Sequence, residues 1–345
     1  MTPSIAAILS LDGLTNGAIY GLVAMALVLV FAVTRVIFIP QGEFVAFGAL
    51  TMAILQTGKV PGTVWLLLLM AALVAVLDLL QSRREAWSGV RLTEQLVRTL
   101  ALPIIAALVT MIFARTKPPL LIQAILALAL VTPMGPLVYR LAYRSLASSS
   151  VLVLLIVSVG VHFALTGLGL LFFGAEGFRT PSFWDDKFKF DAVVVNGQTL
   201  IIFIVFIALI VALFSFFERT LSGKALRATS VNRTGARLMG ISTDSAGSLS
   251  FTMAAFIGAL SGLLIAPNTT LYYDSGFLIG LKGFVAAVFA GLTSFPLALV
   301  GALGVGLVES FSSFWASAFK EVIVFVTILP VLLWRSFSDP HDEEH

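Results

Sequence analysis

The stretch Glu218–Asp244, ERTLSGKALRATSVNRTGARLMGISTD, is the longest polar interval between long apolar runs in the last two-thirds of the chain. It carries Arg219, Lys224, Arg227, Arg233 and Arg237 against only Glu218 and Asp244. Basic loops between membrane-length segments stay cytoplasmic, because anionic lipid and the membrane potential hold Lys and Arg on that side. Ala228–Leu238 alternates small, basic and apolar residues, with Gly235 and Gly240 near its end. A short helix lying across a membrane surface has this make-up. Two readings stand: an ordinary loop whose charges only fix orientation, and a helix that offers one face to a soluble partner.

Composition decides what flanks that loop. The 345 residues are 59% hydrophobic and 11% charged, with a mean hydropathy of +1.04. Soluble chains run at about 45–50% apolar and about 25% charged, so this is an integral membrane protein. The 28 Phe and 28 Gly suit close helix packing in lipid. There is no cysteine, which excludes disulfides, thiolate metal sites and thiol redox chemistry. The net charge of +3 comes mostly from loops and does not indicate nucleic-acid binding. Met1–Asp12 lacks the Lys or Arg of a cleavable signal peptide, so the first apolar run is expected to be retained.

A bilayer core needs about 20 apolar residues per helix. By that measure the candidates are Leu14–Ile37, Gly42–Thr57, Thr63–Leu80, Thr99–Ala114, Leu120–Leu141 and Val151–Phe173 in the first half. Thr199–Phe217, Ser248–Ala266, Phe277–Leu292, Leu297–Ser312 and Glu321–Trp334 follow. Gly42–Thr57, Phe277–Leu292 and Leu297–Ser312 are short enough to be half-helices. The expected fold is an all-α polytopic bundle of about eight to eleven transmembrane segments with discontinuous half-helices.

With 218–247 inside, alternation puts Gln81–Arg98 and Arg140–Ser150 inside and Gly174–Gln198 outside. The two inside loops are net basic. The outside one sets Glu176, Asp185, Asp186 and Asp191 against Arg179, Lys187 and Lys189. The N-terminus falls outside and the tail SFSDPHDEEH inside. Arg115 and Lys117, which fall outside, break the rule; either the rule is violated there or a helix around Thr99–Leu141 is miscounted. Gly174–Gln198, with Pro181, Phe183 and Trp184, reads as an interfacial segment anchored by Trp184 or as part of a docking surface for an external protein.

Charged side chains at membrane depth cost about 2.5–3.5 kcal/mol on insertion scales. Glu43, in RVIFIPQGEFVAFGAL, follows Pro40 and sits in the first turn of a new helix, where the helix dipole favours a negative charge. It is a capping carboxylate or a member of a polar seam with Gln41 and Gly42. Lys282, in GFLIGLKGFVAAVFAGL, opens another apolar helix. The triplet FVA follows each charge, at Phe44–Ala46 and Phe284–Ala286. The two helices run in opposite directions in this topology, which is either chance or an inverted repeat whose half-helices converge. Convergence would let Glu43 and Lys282 pair. Glu309 lies in a helix whose Gly301, Gly304 and Gly306 permit close approach, and reads as a helix-pairing residue or as a polar contact near the membrane edge. Asp78 is near a helix end and is expected to snorkel; His162 reads as a packed, hydrogen-bonded neutral imidazole.

The order GKALRA, then RTGARLMGIS, resembles the coupling loop of ABC-importer permeases, and is most similar to those for branched-chain amino acids. There a small-residue run precedes Leu-x-Gly-Ile, here Leu238, Gly240 and Ile241. The general importer motif opens with Glu-Ala-Ala, and this chain has Arg227-Ala228-Thr229 instead. Phe38, Gly42 and Glu43 match the family's Asn-Phe-Ala-His-Gly-Glu signature, with Pro40 and Gln41 replacing Ala-His. Asn16, in a Thr-Asn-Gly-Ala sequence, resembles the opening helix. Lys282 followed by Phe284, small residues and the turn Gly291–Pro296 is similar to the family's late segment. The resemblance covers Leu14–Leu55 and Tyr139–Trp334. Thr63–Leu141 is longer than the family pattern, with an apparent extra helix pair expected on the lipid-facing periphery.

What the resemblance implies is a single permease domain, residues 1–345, in a bacterial inner membrane. ABC ATPase subunits would dock on 218–247 through Arg227, Ala228, Asn232, Arg233, Gly235, Arg237, Leu238, Gly240 and Ile241. A second permease subunit, paralogue or copy, and a periplasmic substrate-binding protein would complete the unit. Asn16, Gln41, Gly42, Glu43, Lys282 and Phe284 would line the translocation route, with no cofactor or metal and no catalytic residue. The chain has no G-x-x-x-x-G-K-[ST] phosphate loop, since Ser222-Gly223-Lys224-Ala225 lacks both the upstream Gly and the Ser or Thr. It has neither H-E-x-x-H nor G-x-S-x-G, and no acidic series along one helix marks a proton relay. The rivals are an amide, urea or sugar importer permease of the same fold and an ion-coupled secondary transporter.

Overall fold

Helix α1 (Pro3–Thr34) is the axis on which the other elements are hung. It spans 32 residues, about 48 Å at 1.5 Å per residue, and from Gly13 onward almost every side chain is buried within the chain. The computed structural model describes residues 2–85, 89–190, 193–327, 329–331 and 333. In chain order α1 is followed by α2 (Gln41–Gln56), α3 (Thr63–Glu85), α4 (Gly89–Ala114), α5 (Leu120–Val131), α6 (Met134–Val138) and α7 (Val151–Phe173). A two-stranded antiparallel hairpin, β1 (Lys187–Phe190) and β2 (Val193–Asn196), precedes α8 (Gly197–Arg219). Then come α9 (Leu221–Val231), α10 (Arg233–Leu238), α11 (Thr243–Ile265), α12 (Ser275–Phe289), α13 (Phe295–Trp315) and α14 (Lys320–Val326). Among the described residues, eight helical stretches are long and apolar enough to cross a membrane. The chain is an all-α polytopic membrane bundle.

Lipid tails are as apolar as leucine, so helices in a bilayer associate through close packing rather than the hydrophobic effect. Glycine provides that closeness here. A Cβ on Gly13 would lie 2.9 Å from Leu307 Cα, and one on Gly17 2.8 Å from Leu303 Cα, so α1 and α13 run antiparallel with their backbones in contact. On the other side, a Cβ on Gly262 of α11 would meet the carbonyl oxygen of Val45 in α2 at 2.0 Å.

The segment after α1 climbs back into the bundle. Arg35 closes α1 in a left-handed conformation (φ 61°). Phe38 then packs edge-on to Phe251 at 4.7 Å between ring centroids, with Tyr143 at 5.9 Å. Helix α2 therefore starts level with Ala254, midway along α11, where Gln41 Nε2 donates to the Ala254 carbonyl at 2.9 Å. At 16 residues it is about 24 Å long, short of the ~30 Å bilayer core. Helix α12 has 15 residues and meets α2 first turn to first turn: a Cβ on Gly42 would sit 1.9 Å from the Gly276 carbonyl oxygen. The two short helices converge, as the inverted-repeat alternative has it, but Lys282 lies in the middle of α12 and does not open it, because the apolar helix already starts at Ser275.

Several expectations change. Leu297–Ser312 is not a half-helix; α13 runs for 21 residues, Phe295–Trp315, with Glu309 and Ser310 buried and bonded within it. The charged linker Gln81–Arg98 is largely helical, since α3 and α4 extend through it to Glu85 and from Gly89. Lys117 packs over Gly58, at the end of the bundle opposite α9 and α10, so the helix count around Thr99–Leu141 is sound and the basic pair breaks the charge pattern. Helix α3 is more than peripheral: Val64, Leu67, Met70 and Val74 enter the main core while Leu69, Leu73 and Leu80 face outward. Asp78 does not snorkel. It is buried and accepts from the Arg140 guanidinium and from Thr99 Oγ1. Arg140 belongs to a π-helical turn, Tyr139–Tyr143, that follows the break at Pro133. Glu321–Trp334 was expected to form a last span; α14 covers Lys320–Val326, and residue 334 and the acidic tail lie outside the described residues, as does Asp191.

A methyl group at the α2–α12 crossing has nowhere to go, since both obstacles are backbone. Gly42→Ala is expected to destabilise by at least about 3 kcal/mol, the upper end for overpacking. Gly304→Ala, where nothing lies within 4 Å, is expected to be neutral or to stabilise by up to about 1 kcal/mol through helix propensity. Thermal unfolding of the detergent-purified variants measures both.

Candidate functional site

Glu43 stands in the first turn of α2, beside the point where α2 and α12 touch, and is fully buried. It does not pair with Lys282. Its Oε1 lies 2.8 Å from His162 Nδ1 on α7, and Thr166 Oγ1, one turn further along α7, donates to it at 3.4 Å. Phe277 of α12 lies against the His162 ring, centroids 4.8 Å apart. His162 is therefore packed and hydrogen-bonded, and its partner is an acid 119 positions earlier in the chain. Gln41 Oε1 and Glu43 Oε2 are buried with no hydrogen-bond partner among the described residues.

Lys282 is buried on the other side of α12. Its Nζ donates to Glu309 Oε1 of α13 at 2.6 Å and to Glu321 Oε1 of α14 at 3.1 Å. Tyr20 of α1 donates from its hydroxyl to Glu309 Oε2 at 2.5 Å, and the Lys282 ammonium sits 5.6 Å from the Tyr20 ring centre. One ammonium thus joins four helices. The reason Glu43 and Lys282 do not meet is rotational: Gly276 and Gly280 turn one face of α12 to α2, while Lys282 and Gly283 turn another to α1 and α13. Glu309 is a core ion-pair partner, not an edge contact. Phe284 is half-buried against the main core.

Asn16 lies in a different place from Gln41, Gly42 and Glu43. It lines a polar cavity of about 600 Å³ at the bundle end opposite α9 and α10, whose floor includes Glu309. The structure therefore brings Gln41, Gly42 and Glu43 together, and places Asn16 and Lys282 around a second cluster through Glu309. Among the described residues no group of three or more His, Asp or Glu side chains is placed to hold a metal.

At the other end, 218–247 folds as two short helices. Thr220 caps α9 by accepting from Gly223 N at 2.9 Å, and Asn232 caps α10 by accepting from Gly235 N at 2.8 Å. Gly240 turns the chain back with φ 80°, and Ile241 N bonds to the Ala236 carbonyl at 2.9 Å. The pair is tied to the bundle. Arg233 Nη1 donates to the Ala147 carbonyl at 2.9 Å, Arg237 Nε to Thr243 Oγ1 at 2.9 Å, and Arg227 pairs with Glu218 at 2.9 Å. Ala228 is half-buried. The pair presents outward large apolar side chains, with Leu238 84% exposed and Met239 82%, beside exposed Ser222, Lys224, Arg227 and Thr234.

Neither the bond from Tyr20 to Glu309 nor the place of Arg179 in the cavity wall was signalled by the sequence. For the Asp78–Arg140 pair the signal was present, two opposite charges in apolar surroundings, but 62 positions apart.

A family model described as branched-chain amino acid transport system / permease component matches residues 101–332. The high-affinity branched-chain amino acid transport system permease protein LivH of Escherichia coli is 31% identical over 215 residues, 60% of this chain and 70% of that protein. The high-affinity branched-chain amino acid transport system permease protein BraD of Pseudomonas aeruginosa is 28% identical over 236 residues, 66% of this chain and 77% of BraD. A probable branched-chain amino acid transport permease of Methanocaldococcus jannaschii is 25% identical over 203 residues, 57% and 62% of the two chains. No solved structure matches.

Removing one member of a buried ion pair strands the other, at about 3–5 kcal/mol. Lys282→Met is expected to cost that much, and adding Glu309→Gln is expected to recover more than half of it. Unfolding midpoints of the single and double variants, read as a double-mutant cycle, check the coupling.

Proposed function

The chain belongs to the branched-chain amino acid transport permease family, and on that footing we propose that it is the membrane-spanning subunit of an ATP-driven importer, moved by a separate ATPase that docks on α9 and α10. The observation that carries this reading is the make-up of those two helices. Leu238, Met239, Val231 and Leu221 are each at least 80% exposed, on elements too short and too charged to enter lipid. Exposed apolar side chains with basic neighbours mark a protein interface. The same helices are held to the bundle by Arg233 and Arg237, so a push on their outer face acts on the bundle rather than deforming a loose loop.

The remaining parts of the reading follow from the family and the charge pattern. Two permease subunits, copies or paralogues, form the translocation unit, with an external binding protein feeding it. The α9–α10 end faces the cytoplasm and the N-terminus of α1 the periplasm, in agreement with the basic loops 81–98 and 140–150. The branched-chain substrate is carried by alternating access. Between the two ends stand the crossing of α2 and α12 and the Lys282 cluster, which we assign to the moving parts.

Leu238→Glu with Met239→Glu is expected to abolish co-purification of the ATPase and ATP-dependent leucine uptake while leaving membrane insertion and the unfolding midpoint of the permease unchanged. Normal uptake and a normal complex in this variant would overturn the docking assignment. Leucine accumulation by vesicles holding the permease alone, driven by an ion gradient, would overturn the importer reading.

A further inference from the structure

The polar cavity at the end opposite α9 and α10 is absorbed by none of the roles above. We propose that it is a binding site for a free α-amino acid in its zwitterionic form, with Asp12 taking the ammonium and Arg179 the carboxylate. The proposal rests on the importer reading for its physiological ligand, though the cavity chemistry is independent of it.

The cavity lies among the start of α1, the end of α13, the loop after α7 and the loop between α11 and α12. Its volume, about 600 Å³, is within the range of small-ligand sites. Its charged wall residues are Asp12, Arg179, Glu309 and Lys320. Two of these are already engaged: Glu309 by Lys282 and Tyr20, and Lys320 by Glu321 at 3.9 Å. Asp12 and Arg179 form no ion pair among the described residues, although they have opposite charges and line one cavity.

That separation is built in. Asp12 is fixed on α1, which the glycine contacts lock to α13. Arg179 is held by its Nε, which donates to the Pro267 carbonyl at 2.8 Å, and its terminal guanidinium nitrogens have no partner among the described residues. Its flanks are pinned as well, by the paired backbone bonds between Phe178 and Leu271 and by Thr180 N to the Ala266 carbonyl. A fixed guanidinium suits a carboxylate, which it can meet with two parallel hydrogen bonds. The side-chain amides of Asn16, Asn196 and Asn268 line the same space and supply both donors and acceptors. A ligand with only one charge would satisfy one side and leave the other unpaired. A zwitterion satisfies both. Leu9 and Phe314 also belong to the wall and give an aliphatic side chain an apolar contact.

The test uses the detergent-solubilised permease–ATPase complex without the binding protein, and radiolabelled leucine as the probe. Saturable leucine binding is expected, with 4-methylpentanoate, which lacks the ammonium, and 3-methylbutylamine, which lacks the carboxylate, each competing at least about tenfold more weakly. Asp12→Asn and Arg179→Gln are each expected to weaken leucine binding about tenfold. They should do so in charge-specific ways: Arg179→Gln removes the discrimination against the amine, and Asp12→Asn the discrimination against the acid. Arg179→Lys keeps the charge but not the paired donors or the Nε tether; it is expected to weaken leucine binding several-fold while keeping the discrimination against the amine, which loss of the Pro267 contact alone does not predict. Absence of leucine binding, or binding indifferent to both substitutions, overturns the site while ATP-dependent uptake in the full system still upholds the importer reading. Conversely, charge-specific binding in a complex that accumulates no leucine upholds the site and overturns the importer.

Discussion

Backbone-to-backbone contact through glycine is the constraint from which the rest of this bundle follows. Without a hydrophobic drive between helices in lipid, dispersion contacts must be dense to hold them. Gly13, Gly17 and Gly306 bring α1 against α13, Gly262 brings α11 against α2, and Gly42 with Gly276 brings α2 against α12. Each contact is closed to any side chain. Together they fix α1 in a fully surrounded position and suspend the two short helices in the interior, where neither is long enough to cross a bilayer by itself. A helix that stops inside lipid leaves unbonded amides. Here those first turns face each other and the polar side chains of Gln41 and Glu43 instead of lipid.

The charged residues obey the geometry that the glycines set. An ionised side chain buried in a bundle is tolerated when a partner and further hydrogen bonds satisfy it. Glu43 has His162 and Thr166, Lys282 has Glu309 and Glu321, and Asp78 has Arg140 and Thr99. Each set joins helices that are distant in sequence. The third set matters for the region that looked like an addition: α3 and α4 are anchored to the π-helical turn by a buried pair, and α3 contributes a full face to the core. Residues 63–100 precede the matched part of the family model, yet they are physically part of the same packing unit.

The class of fold was legible from composition alone, because 59% hydrophobic residues leave no soluble alternative. The short helix at Gln41 was legible from the proline and the charge that open its apolar run and the one at Ser275 from its length, while the recurrence of FVA left their meeting open between chance and an inverted repeat. The pairing of charges was not legible. Glu43 and Lys282 look like partners because each precedes FVA in a short apolar helix, but α12 begins seven residues before Lys282 and turns its glycines to α2 and its lysine away, and a one-dimensional pattern does not report that rotation. Glu309 was legible as a polar residue inside Leu297–Ser312, but not the partners, Lys282 and Tyr20, that bury it. Of the cavity, Asn16 was visible as a polar residue in an opening span. Arg179 was one of several charges in a long external connection, and nothing in its neighbours marked it as fixed.

The two ends of the molecule are joined by packed contacts without a gap. Arg233 of α10 holds the Ala147 carbonyl, and Arg144 nearby pairs with Asp244 at the start of α11. Those residues continue from the π-helical turn, whose Tyr143 lies against Phe38. Phe38 precedes the first turn of α2, which touches the first turn of α12, and α12 carries Lys282 to Glu309 at the cavity floor. Contiguity alone does not make a transmission line; an element with two arrangements is needed. The route contains one structural feature of the right kind, a π-helical turn, in which hydrogen bonds span five residues and the register with the adjoining α-helix can shift. It sits between the tether to α10 and the aromatic ring that seats α2. The place to look for two states is therefore Tyr139–Tyr143, with α2 and α12 carried as one packed unit across their glycine contact.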